Sequence, residues 1–233
     1  MRIRLWLAAA AVSIVAPSTA FAEEAVETAI RGWVAALDAT PEWAASIGGL
    51  TYDPASDTAL VVDLVVRPEA TATNAAPMGT FSLGTLAVTG YVEGADGYKV
   101  RSITADDGAL EAGFLTIRLS DIAFTDFSSP FGLSIAFDAS KPFTSMIRSY
   151  AAILDIGLAR ARIGTVELDQ THDEVKSTIV YRDFEIEGMA GGKVARFDTG
   201  TVTMDSPTPD GLVKMTIAGI ESRDTDLGAF VHV

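Results

Sequence analysis

Two periodicities divide the chain. Val26, Ile30, Trp33 and Leu37 recur at helical spacing and make one apolar stripe. Glu23, Glu24 and Glu27 stand where the positive end of a helix dipole welcomes acids, and Pro41 stops the pattern. This predicts a helix over roughly 23–39. From Ser46 onward the period shortens to that of strands, with apolar, β-branched and aromatic runs such as Ala59–Val66, Phe81–Val92 and Ser177–Ile186. Between them lie turn signals: Asp53-Pro54, Asp96-Gly97, Asp107-Gly108, Gly191-Gly192 and Pro209-Asp210-Gly211. Sequential hairpins imply antiparallel neighbours, because parallel pairing needs long crossovers. Helical spacing returns once, at Phe143, Ile147, Tyr150 and Leu154 behind Pro142, and predicts a crossover helix over about 142–154. The expected fold is mainly β. It is an antiparallel, hairpin-built curved sheet or sandwich of roughly eight to eleven strands with an N-terminal helix and one helical crossover.

An internal echo runs through the strands. Thr58, Thr116, Thr178 and Thr216 are each followed five residues later by an acid, at Asp63, Asp121, Asp183 and Glu221. The apolar alternation changes phase at the acid. Ile117 and Leu119 precede Ile122 and Phe124, while Ile179 and Tyr181 precede Phe184 and Ile186. A strand keeps one face buried through such a shift only with a bulge or a change of layer. Each acid is therefore expected to mark a bend, with its carboxylate outside the core and the flanking apolar residues largely buried.

Residues 1–22 have the form of a secretory signal: Arg2 and Arg4, an apolar run from Leu5 to Ala16, then Ala20-Phe21-Ala22. The apolar run is short for a membrane span and Pro17 breaks it. Residues 23–233 then form a single β-rich domain, and its abrupt apolar end, Ala229 to Val233, is that of a chain incomplete at its C-terminus or pairing into the sheet. The expected location is the periplasm, or outside the cell, with no transmembrane helix after cleavage.

Charge and composition narrow the chemistry. The chain of 233 residues has a formal net charge of −14, which disfavours nucleic acid. It has no cysteine, which removes disulfides, thiolate catalysis and Cys-ligated metals. No G-x-S-x-G elbow, S-x-x-K pair or phosphate-cradling glycine loop occurs. The densest polar cluster is Glu167, Asp169, His172, Asp173 and Glu174, read here as a charged, solvated hairpin tip between strands Ile163–Leu168 and Val175–Glu185. Its alternative is a zinc or hard-cation site serving a metal-assisted hydrolase. Glu221, Asp224 and Asp226 form no EF-hand loop, and Asp226 reads as the cap of a short helix from Leu227. Trp33 and Trp43 read as core and rim packing. No catalytic, cofactor-binding or metal-ligating residue is assigned, and no cofactor is expected.

The strand phrase Val180-Tyr181-Arg182-Asp183-Phe184-Glu185-Ile186-Glu187-Gly188 and the tight hairpins of residues 46–222 resemble exported β-rich proteins of alphaproteobacteria. More distantly they are similar in texture to AsmA-type envelope proteins. The resemblance implies a β-groove in the cell envelope and carries over no functional residue. The leading expectation is a non-enzymatic exported envelope protein, a β-scaffold for a hydrophobic ligand or a protein partner. A metal-assisted hydrolase around His172 and a small outer-membrane β-barrel are the alternatives.

Overall fold

In a computed structural model, residues 19–38, 43–68, 79–130, 154–172, 175–208 and 211–230 are described. The chain opens with helix α1 (Thr19–Asp38). It begins at Thr19 rather than Glu23, because Ala20, Phe21 and Ala22 are compatible with helix and extend it backwards. Its stripe packs against the first strands, with Val26 buried and Ile30, Trp33 and Leu37 half-buried.

Twelve strands follow, all antiparallel and in one sheet: β1 (Trp43–Ser46), β2 (Gly49–Asp53), β3 (Thr58–Pro68), β4 (Thr80–Glu93), β5 (Gly97–Ala112) and β6 (Leu115–Pro130) come first. After them come β7 (Leu158–His172), β8 (Val175–Ala190), β9 (Lys193–Thr199), β10 (Val202–Thr208), β11 (Gly211–Ile217) and β12 (Ile220–Asp226). From β3 to β8 each strand pairs with the next in sequence as an antiparallel meander, with longer connections between β3 and β4 and between β6 and β7. β1 and β2 lie end to end along β3, and β10 and β9 lie end to end along β8, with β11 and β12 outside them. Among the described residues the sheet is unclosed and no second layer of strands faces it, which is the curved-sheet form and not the sandwich. The count exceeds the expected range because three of the long strands are each cut in two at a bend. A short 3-10 helix, Leu227–Phe230, follows Asp226 as expected. The predicted helix over 142–154 lies outside the described residues except for Leu154, and so do residues 1–18.

The bends are real but are not bulges. Asp63, Asp121 and Asp183 all have left-handed backbones, with φ of 53°, 55° and 53°. The strand register passes through each without an extra residue, since Ser120 pairs Thr165 and Ile122 pairs Ile163 on either side of Asp121. A single left-handed residue resets the pleat by itself, so nothing has to be inserted. Aspartate tolerates this conformation better than most residues. The neighbouring strand supplies room: Gly48 stands opposite Asp63, and Gly164 lies between Asp121 and Asp183. A Cβ at Gly164 would stand 2.7 Å from Asp121 Oδ2 and 2.9 Å from Asp121 Cβ.

One expectation about the bends and one about the turns fail. Glu221, the fourth acid of the echo, sits in regular β12, and the left-handed residue there is Asp224, φ 50°. Glu221 is recruited instead by Arg223 and Arg196, at 2.8 and 3.2 Å. Asp107-Gly108 is no turn but lies inside β5. Gly108 is small because Leu83 crosses it; a Cβ there would be 2.7 Å from Leu83 Cδ2. The turn into β6 is made by Gly113, φ 54°, and Phe114.

A second row of left-handed residues crosses the sheet five or six positions from the first: Asp57, Gly90, Asp126, Gly188 and Asp224. The two rows divide the sheet into three panels. Across each row the parity of the buried side chains switches, and the apolar residues stay on one face.

Candidate functional site

Apolar cross-strand pairs recur throughout the sheet and define one face of it. In the panel before Asp121, Leu110 pairs Ile117, Ile117 pairs Leu168, and Leu168 pairs Ile179. Past Asp121, Ile103 pairs Phe124, Ile122 pairs Ile163, and Ile163 pairs Phe184. Directly opposed residues share a face, so each chain of pairs is an apolar row running across the strands. That the rows meet on one side is shown at Gly108, whose Cβ position lies within 4 Å of both Leu83 and Ile122. Across the second row of bends, the rings of Phe124 and Phe127 meet edge to face at 6.5 Å. Residues three apart in a flat strand would point to opposite sides.

Ile122 is buried, whereas Ile117, Leu119, Phe124, Ile179, Tyr181, Phe184 and Ile186 are half-buried, less than the sequence led one to expect. Asp121 and Asp183 are exposed, as expected. Burial is deepest in β3, at Ala59, Val61 and Leu64, and a second buried cluster joins Leu158, Ala161, Met189 and Val194, with Ile156 and Leu227 packed against it. Elsewhere, among the described residues, no second layer of strands covers the apolar rows.

Near β4 and β5 the face becomes aromatic. Tyr91, Tyr98 and Phe127 follow one another at centroid distances of 6.0 and 6.1 Å. The Tyr91 hydroxyl is buried with no hydrogen-bond partner among the described residues, and burial pushes its phenol up to about 12. Burial also raises Tyr98, against the opposing hydrogen bond with Ser129. Thr199 Oγ1 is the second buried hydroxyl without a partner among the described residues.

The opposite face is polar and knitted by charge. Arg160 reaches Glu185 at 2.8 Å, Arg162 reaches Asp183 at 3.4 Å, and Arg196 contacts Asp198 at 3.0 Å and Glu221 at 3.2 Å. The acidic cluster differs from its expected form. β7 and β8 extend to His172 and Val175, so Glu167 and Asp169 are strand residues and not part of a solvated tip. Asp169 is buried, 5% exposed, because its strand neighbours close over it. It accepts from Thr178 Oγ1 at 2.6 Å and meets Arg118 at 2.7 Å and Lys176 at 2.9 Å. The Thr178 hydroxyl, then Lys176 and Arg118, hold its carboxyl well below the usual range, although burial alone would raise it. Glu167 shares the same arginine at 2.6 Å. Asp169 thus closes a strand-to-strand clamp. The side chain of His172, with Asp173 and Glu174, lies outside the described residues. Among the described residues, no three His, Cys, Asp or Glu side chains converge as metal ligands.

Sequence reasoning found three bend acids and missed their glycine partners and the whole second row. The signal was present: the apolar positions change parity again between Phe124 and Phe127, and between Ile186 and Met189. No family model, curated protein or solved structure matches the chain. No helix among the described residues is long and apolar enough to cross a membrane.

Proposed function

We propose that this is a non-enzymatic, exported cell-envelope protein whose sheet holds a hydrophobic ligand along its apolar face. One observation carries the reading. An apolar surface continues through three panels and two rows of bends with most of its side chains only partly buried, and contiguous apolar area left accessible in a folded protein marks a place where something binds. The bends support it further, because left-handed non-glycine residues are uncommon and the joint effect of these is to keep that one surface unbroken. The N-terminal signal pattern supports export, and the acidic composition suits a soluble carrier. Apolar rows that run across the strands suit acyl chains or other extended apolar molecules.

The test uses the fluorescent fatty acid cis-parinaric acid. It binds saturably to the folded protein, and Leu119→Lys, which sets an ammonium among the apolar rows, abolishes binding while the far-ultraviolet circular dichroism stays unchanged. Organic extraction of protein purified from the envelope fraction, followed by mass spectrometry, identifies the natural ligand. Absence of saturable binding, or binding indifferent to Leu119→Lys, overturns the proposal.

A further inference from the structure

We infer that the outer edge of the sheet is a self-association site, where β11 pairs antiparallel with β11 of a second copy of this chain about a two-fold axis at Met215. The two edges of the sheet are built differently. At the first, α1 packs against β1, and Asp38 Oδ1 accepts the backbone N–H of Ala45 at 3.2 Å, which occupies an edge donor. A helix or side chain placed in this way is how sheets prevent edge pairing. At the other edge all seven residues of β11 are exposed. Five of the nine large apolar residues that stand exposed among the described residues lie on this edge: Leu212, Val213, Met215, Ile217 and Ile220. β11 bonds β10 on one side, and no described strand lies on its other side.

The occupant is a copy of the chain because β11 is complementary to itself. With Met215 opposite Met215, Val213 faces Ile217 of the second copy on the apolar side. Lys214 then faces Thr216 of the second copy and not another cation. Directly opposed residues share a face, so the apolar rows carry on from one sheet to the other. Centring the axis on Lys214 instead would set two ammonium groups against each other, which disfavours that register. The pairing is two-fold because α1 and Asp38 obstruct the β1 edge, which disfavours the head-to-tail contact that would otherwise propagate into a filament. None of this depends on the ligand proposed above.

The chain has no cysteine, so Met215→Cys introduces a lone thiol. Opposed Cα atoms in an antiparallel pair lie about 4.5–5.5 Å apart, within disulfide reach. The wild-type chain is expected to sediment at twice the protomer mass. Mild oxidation joins Met215→Cys into a covalent dimer and leaves Val92→Cys, a more exposed thiol on a distant hairpin, monomeric. Met215→Lys sediments at the single mass with unchanged circular dichroism. A wild-type chain that stays monomeric at high concentration overturns the inference and leaves the edge to a different protein's strand. Equal cross-linking of the two cysteine variants overturns it too.

Discussion

The contact between Asp121 and Gly164 is open to a double-mutant cycle. Asp121 holds φ at 55°, a conformation costing an ordinary L-residue about 1–2 kcal/mol and an aspartate less. Valine, β-branched, meets the full cost, so Asp121→Val is expected to lose about 2 kcal/mol. Glycine adopts this backbone freely, and its greater freedom when unfolded offsets the gain, so Asp121→Gly should lie within about 0.5 kcal/mol of wild type. Gly164→Ala adds a methyl group 2.7 Å from the Asp121 carboxylate and 2.9 Å from its Cβ. The carboxylate can swing away, but the Cβ moves only with its strand, so overpacking of about 1–3 kcal/mol is expected. In the Asp121→Gly background both atoms are gone, and most of that cost disappears. The cycle should therefore return a coupling of at least about 1 kcal/mol, in the range seen for residues in direct contact. Urea unfolding measures it as a shift in midpoint at constant slope. If Gly164→Ala costs the same in both backgrounds, or Asp121→Val is as mild as Asp121→Gly, the bend is not held by this contact.

Three further outcomes are expected. Asp169→Asn removes the charge that Arg118 and Lys176 meet. Both cations are more than half exposed and rehydrate, so the loss should be about 2 kcal/mol, below that of a broken fully buried pair. Because the folded state depresses the Asp169 pKa, its stabilisation is complete above about pH 4, the ordinary carboxylate value, and is lost as pH falls further; acid titration of Asp169→Asn should lack that component. Tyr91→Phe deletes a buried hydroxyl that has no partner among the described residues and should raise stability by about 1 kcal/mol in urea unfolding; a clear loss would contradict its being unpaired. Intact mass of the protein released by osmotic shock should begin at Glu23, whereas a membrane-held form retaining Met1 to Ala22 would identify an anchor.

Local pattern alone determined the fold class here. Period-two alternation and Gly- or Asp-marked hairpins leave an antiparallel sheet as the only economical outcome, and the stripe from Val26 to Leu37 is a helix face whatever it packs against. The parity shifts at Asp121 and Asp183 were legible for the same reason, since a strand cannot change the phase of its buried residues without some backbone exception. The kind of exception was decided by neighbours. Gly164 admits a left-handed aspartate opposite it, and only the register, set by many pairs at once, reveals that the two residues meet. The same holds for Gly108, which as a dipeptide with Asp107 signals a turn and in the sheet makes way for Leu83. Asp169 looks like any strand-end acid until Arg118, Lys176 and Thr178 are brought to it from β6 and β8. Sequence reports what each residue prefers alone; burial, pKa and the continuity of the apolar face arise from residues far apart in the chain, and only the assembled sheet places them within reach of one another.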